Sequence, residues 1–96
     1  MEIEFILLYS PKNYFTMKKE KLTDAEKKNL KKAGKRLKEL RIKAGYKSSE
    51  LFAYENDFSR AQYAKYEAGA NITLVTLMKI LKAMNVTLRE FFKEID

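Results

Sequence analysis

Four neighbouring side chains, Arg60, Ala61, Gln62 and Lys65, combine types and spacing that suit the edges of nucleic-acid bases. A guanidinium can donate two parallel hydrogen bonds to a guanine, and a carboxamide can pair bidentately with adenine. An ammonium reaches a guanine or a phosphate, and an alanine methyl fits against a thymine methyl. A polar helix face in water has much the same composition. What separates the two readings is the set of elements that must hold these residues in place.

Ser59 stands directly before this segment and Ser48 directly before an earlier one. Serine caps a helix by accepting a hydrogen bond from a first-turn backbone N–H. The pattern predicts helices over 49–55 and 60–67, the second stopped by Gly69. Glu55-Asn56-Asp57-Phe58 is the joint between them. Asn and Asp tolerate the left-handed conformation that a tight turn needs where glycine is missing. Ala53 is small enough for the two helices to cross closely, and Phe58, Tyr63 and Tyr66 can bury the inner face. Two short helices on a tight turn, the second polar on its outer side, form the helix-turn-helix layout, whose second helix enters the major groove.

The surrounding elements read as helices too. Thr23-Asp24-Ala25-Glu26 is a capping box, and Leu30, Ala33, Leu37, Leu40 and Ala44 then recur every three or four residues. They mark a long helix over about 24–44, ended by Gly45 and irregular near Gly34. A mid-helix glycine costs roughly 1 kcal/mol relative to alanine, which close packing by another element could offset. Thr73 caps a further helix with Leu74, Leu77, Ile80, Leu81 and Met84 on one face. Asn85 sits where a left-handed residue ends it. Thr87-Leu88-Arg89-Glu90 is a second capping box and opens a last helix with Leu88, Phe91, Phe92 and Ile95. Leu77, Ile80, Met84, Phe91 and Phe92 are read as core, with a dimer surface as the alternative for some of them. At the start of the chain, Ile3, Phe5, Leu7 and Tyr9 alternate as a strand would, until Ser10-Pro11 breaks the pattern. The expectation is an all-α, five-helix domain over 23–96 behind a short N-terminal extension, 1–22. That extension either contains a strand or, if Met17 is the better start, is a leader over 1–16.

Composition narrows the chemistry. The 96 residues include no His and no Cys, so no Ser-His-Asp triad, Cys-His pair, ordinary zinc site or disulfide can be assembled. No catalytic residue, metal or cofactor is expected. No run of about 20 apolar residues exists to cross a membrane, and the acidic start with its short apolar run argues against a signal peptide; a cytoplasmic, nucleoid-associated location is expected. The net charge of +7 and pI of about 9.6 make nucleic acid or an anionic surface the first partners to consider. The excess is concentrated: residues 18–47 hold 13 basic against four acidic side chains, a net +9. Such a segment supplies steering and salt-dependent phosphate affinity, although Lys-rich helix faces are also common as mere solvated surface.

In their order and spacing these segments resemble the phage repressor/Cro-like (XRE) helix-turn-helix family. Gly34-Lys35-Arg36-Leu37-Lys38-Glu39-Leu40-Arg41 is similar to the opening of those lambda-repressor-like domains, and Phe52-Ala53 stands where the family has Leu-Ala. Ser59-Arg60-Ala61-Gln62-Tyr63-Ala64-Lys65-Tyr66-Glu67-Ala68-Gly69 is similar to its recognition helix and closing Glu-x-Gly. Thr76-Leu77, Ile80 to Val86, and Leu88 to Phe92 follow its fourth and fifth helices. The resemblance covers about residues 30–93. It implies base reading by Arg60, Ala61, Gln62 and Lys65, and phosphate contacts by Lys47, Ser48, Ser49, Ser59 and Asn71. It also implies an ion pair between Arg41 and Glu67. The chain departs from the pattern at Ser49, where the family usually has Gln, at Asn56 and Asp57 in the turn, and by one extra residue between Gly45 and Ser48.

The function this implies is a transcriptional regulator that binds double-stranded DNA sequence-specifically, as a homodimer on a palindromic operator. The alternative keeps the fold and changes the role: an antitoxin, or a restriction-modification controller, that binds a protein partner through residues 1–16 and regulates its own operon. An enzyme fits poorly, since Glu50, Glu55 and Asp57 lie on an exposed turn. A membrane-surface role fits poorly as well, because the basic helix needs its apolar stripe for the core.

Overall fold

The helices form where capping chemistry and apolar spacing coincide, and the computed structural model describes them over residues 21–96. Helix α1 spans Asp24–Lys43, α2 Ser49–Glu55, α3 Arg60–Glu67, α4 Leu74–Ala83 and α5 Leu88–Lys93. No strand occurs among the described residues. The alternation over residues 1–9, and residues 1–16 as a whole, lie outside them.

All five N-termini are capped by a Ser or Thr hydroxyl that accepts a backbone N–H three residues on: Thr23, Ser48, Ser59, Thr73 and Thr87. At α1 the box is reciprocal. Thr23 N donates to Glu26 Oε1 at 2.8 Å and Glu26 N donates to Thr23 Oγ1 at 3.1 Å. The helix ends turn on left-handed residues, with φ of 102° at Gly45, 61° at Asp57, 106° at Gly69 and 60° at Asn85. At the α2 end, the Asn56 amide donates back to Phe52 O at 2.9 Å, which supports the turn from within.

Helix α1 is the spine. It packs against α2, α3 and α5, while α2 packs on α3 and α4 on α5. The core gathers Leu37 and Leu40 from α1, Phe52 and Ala53 from α2 and Tyr63 from α3. It is closed by Leu77, Ile80, Leu81, Met84 and Phe91 from the last two helices. Phe52 is its aromatic centre, with ring centroids 4.9 Å from both Tyr46 and Tyr63.

Three expectations are corrected. α1 runs unbroken through Gly34, because the missing Cβ admits α3: a Cβ there would stand 2.5 Å from the Glu67 carbonyl oxygen and 2.6 Å from that of Tyr66. Leu74 is 58% exposed and Phe92 50% exposed, so neither belongs to the core. Leu74 is the first residue of α4, and Phe92 turns outward while its neighbour Phe91 takes the inward position. Ala44, at the end of the α1 stripe, is also exposed.

Candidate nucleic-acid interface

The periodicity of α3 divides its side chains cleanly. Tyr63 is buried, Tyr66 and Glu67 are half-buried, and Arg60, Ala61, Gln62 and Lys65 are exposed. Their positions around the helix are not equivalent. Gln62 joins Phe58, Tyr66, Thr76 and Ile80 around a hollow of about 130 Å³ between α3 and α4, so it occupies the α4 flank. Ala61 and Lys65, one turn apart, lie opposite Tyr63 and face outward. Helix α3 therefore offers a free outer surface carrying a guanidinium, a carboxamide, an ammonium and a methyl within about 12 Å, the length of eight helical residues.

The phosphate candidates lie at the starts of α2 and α3 and in the loops before α2 and after α3. Lys47, Ser48, Ser59 and Asn71 are exposed and Ser49 is half-buried. The Ser48 hydroxyl accepts from Leu51 N at 3.0 Å and the Ser59 hydroxyl from Gln62 N at 3.2 Å. Capping thus occupies both oxygens as acceptors, and each hydroxyl proton stays free to donate. The remaining first-turn N–H groups at the starts of α2 and α3 lack intrahelical partners, and such groups suit anions.

Behind the surface, Arg41 fixes the angle between α1 and α3. Its Nε donates to Glu67 Oε2 at 2.7 Å, its Nη2 to Glu67 Oε1 at 3.2 Å, and its Nη1 to the Tyr46 carbonyl at 2.7 Å. One guanidinium fork, 4% exposed, ties α1, the loop before α2 and the end of α3 together. The Glu67 carboxylate raises the Arg41 guanidinium above its already high value, against the opposing effect of burial. The buried Tyr63 hydroxyl lies beside this pair without a hydrogen-bond partner of good geometry. Burial first, and then the Glu67 carboxylate, push the Tyr63 phenol up, so it stays neutral.

Arg36 performs a similar task at the other end and is absent from the sequence-derived set. Its Nη2 donates to Glu90 O at 2.7 Å and its Nε to Phe91 O at 3.1 Å. It thereby occupies carbonyls of the six-residue helix α5. No described helix is long and apolar enough to cross a membrane.

Comparison with known proteins gives three findings. A family model described as helix-turn-helix matches residues 37–91. Control protein C.MunI from a Mycoplasma species is 39% identical over 64 residues, which are 66% of this chain and 86% of that one. The high-resolution crystal structure of the restriction-modification controller protein C.AhdI from Aeromonas hydrophila is similar at a TM-score of 0.61 and 35% identity, over 68% of this chain and 98% of that one.

Proposed function

Since the chain belongs to the helix-turn-helix family of DNA-binding transcription regulators, we propose that it grips a palindromic operator as a homodimer, with α3 of each copy in a major groove. Arg60 and Gln62 read base edges from the two flanks of α3. Lys65 and Ala61 contribute from its outer side, to a phosphate or guanine and to a thymine methyl. Lys47, Ser48, Ser49, Ser59 and Asn71 set the register on phosphates, which position a protein without specifying a sequence.

The observation that carries this reading is the free outer surface of α3, held at a fixed angle by the Arg41–Glu67 fork. A second copy has a surface to meet. Leu74, Val75 and Met78 of α4 and Leu88 and Phe92 of α5 are exposed, and Met78 and Leu88 border one groove of about 290 Å³. Selection of bound sites from a random DNA library tests the proposal. A discrete palindromic site is expected, with affinity falling steeply as salt rises. Arg60→Ala is expected to relax preference at one base pair per half-site, costing about 1–3 kcal/mol there. Binding without sequence preference refutes the reading.

The names of the two relatives favour one narrower role, control of a restriction-modification operon. A methyltransferase or endonuclease gene beside this one supports it, and an adjacent toxin gene supports the antitoxin role instead. If residues 1–16 bind a protein partner in either case, their deletion abolishes that binding and spares the operator.

A further inference from the structure

The match to the helix-turn-helix family begins at residue 37, yet α1 begins at Asp24. The buried residues of α1 start at Gly34, and residues 24–29 are exposed all round. The crossing of α1 over the end of α3 is narrowly located. Gly34 faces the carbonyls of Tyr66 and Glu67, and a Cβ on Gly69 would stand 3.0 Å from Lys31 Cγ and 3.3 Å from Lys31 Cα. Lys31 therefore lies against the residue just past α3, two positions before Asn71. The residues ahead of it continue outward from that corner. At 1.5 Å per residue, 24–30 extend about 10 Å, roughly three base-pair steps of duplex at 3.4 Å each.

Four of the seven lysines of α1 mark two edges. Lys27 and Lys31, spaced i and i+4, run along the α3 side. Lys32 lies in a groove with Glu94 and Asp96, and Lys43 in a hollow with Thr87 and Glu90, both on the α5 side among acidic groups. Asp24 and Glu26 sit in the first turn, and the Glu26 carboxylate is occupied by the capping box. Lys27 and Lys31 have no ion-pair partner among the described residues, and the edge they share leads to the end of α3, where Lys31 meets Gly69.

We infer that Lys27 and Lys31 contact the DNA backbone flanking the operator and lengthen each half-site footprint by about three base pairs. The inference rests on the DNA-binding reading above and names a contact outside the family's matched segment. An acidic protein surface would fit the same cations less well, because the row adjoins the phosphate candidate Asn71 rather than an apolar patch.

The test uses the full chain and its selected operator, in a long duplex and in one trimmed of its flanks. Lys27→Gln/Lys31→Gln is compared with Lys32→Gln/Lys43→Gln, which removes the same charge from the other edge. Glutamine keeps helix propensity, and circular dichroism checks that both variants fold. On the long duplex the first variant is expected to weaken binding by at least on the order of tenfold, and to flatten the slope of log K against log salt by about 3.6 for the dimer, four contacts at 0.9 each. On the trimmed duplex it should match wild type, and its sequence preference should be unchanged. The second variant should change the slope much less. Equal effects from the two variants, or no effect on the long duplex, overturn the inference. Failure of wild type to select any site is a separate result that refutes the DNA reading itself.

Discussion

Gly34→Ala sets two known effects against each other, and the geometry predicts which wins. In an ordinary exposed helix interior this change stabilises by roughly 1 kcal/mol, because alanine is the better helix former. Here the new methyl would stand 2.5 Å from the Glu67 carbonyl oxygen, 0.9 Å inside the 3.4 Å where ordinary contact begins, and 2.6 Å from that of Tyr66. Both obstacles are backbone atoms and cannot rotate away as a side chain could. The Tyr66 carbonyl accepts from Gly69 N at 3.1 Å, and the Glu67 side chain is held by Arg41. Relief requires α1 and α3 to move apart, which stretches the Arg41–Glu67 fork and opens the core beside Leu37. Overpacking of a tight site costs about 1–3 kcal/mol, and two backbone clashes place this case at the upper end. After the propensity gain, a net loss of about 2 kcal/mol remains, or roughly 8–16 °C in Tm for a domain of this size. Urea unfolding followed by far-ultraviolet circular dichroism, with an unchanged m-value, measures it. A variant as stable as wild type, or more so, refutes the close-approach argument.

Glu67→Gln leaves the Arg41 guanidinium buried without its counter-charge and with an NH2 donor in place of one of its three acceptors. It should cost about 3 kcal/mol by urea denaturation, and Arg41→Met/Glu67→Leu should recover most of that stability while still weakening operator binding. The native Tyr63 phenol holds its proton above the ordinary tyrosine value of 10.0, whereas the unfolded chain releases it near pH 10. The native state therefore binds more protons than the unfolded state as pH climbs past 10, and stability from this group, complete below that pH, falls there. Subtracting the Tyr63→Phe unfolding curve between pH 8 and 11 isolates the loss. Near neutral pH the same variant should lie within about 1 kcal/mol of wild type, because the hydroxyl it removes is buried without a partner. Arg36→Ala removes two charge-assisted bonds to α5 carbonyls and should cost about 2–3 kcal/mol. Hydrogen exchange should show the loss of protection concentrated in α5.

Helix positions were legible because every start carries a hydroxyl cap and every sharp stop a residue that tolerates positive φ. These are local signals, complete within five residues of chain. The outward turn of Leu74 and Phe92 was not legible, because periodicity marks an apolar stripe without saying how much of it a small domain can cover. Phe91 and Phe92 are adjacent, and local pattern alone does not decide which ring goes in. Arg36 did leave a trace. Among the basic residues of α1, only Arg36 and Arg41 are arginine and the rest are lysine. Both arginines use the planar fork to satisfy several acceptors at once, which an ammonium cannot do. The close approach at Gly34 had a partial signal in the cost of a mid-helix glycine, but its partner, the end of α3, is more than 30 residues away in sequence and invisible to local pattern.

A single unbroken α1, about 30 Å long by its 20 residues, touches both the reading helix and α5. It has no hinge at Gly34, so the molecule behaves as a ruler. Any assembly that joins two copies through the apolar face of α4 and α5 inherits a set distance and rotation between its reading helices. The cost of a mismatched operator would then fall on the DNA, which must twist or bend to bring its half-sites into phase. Inserting five base pairs between half-sites would put them on opposite faces of the duplex. Inserting ten would restore the phase at a separation this rigid frame cannot span.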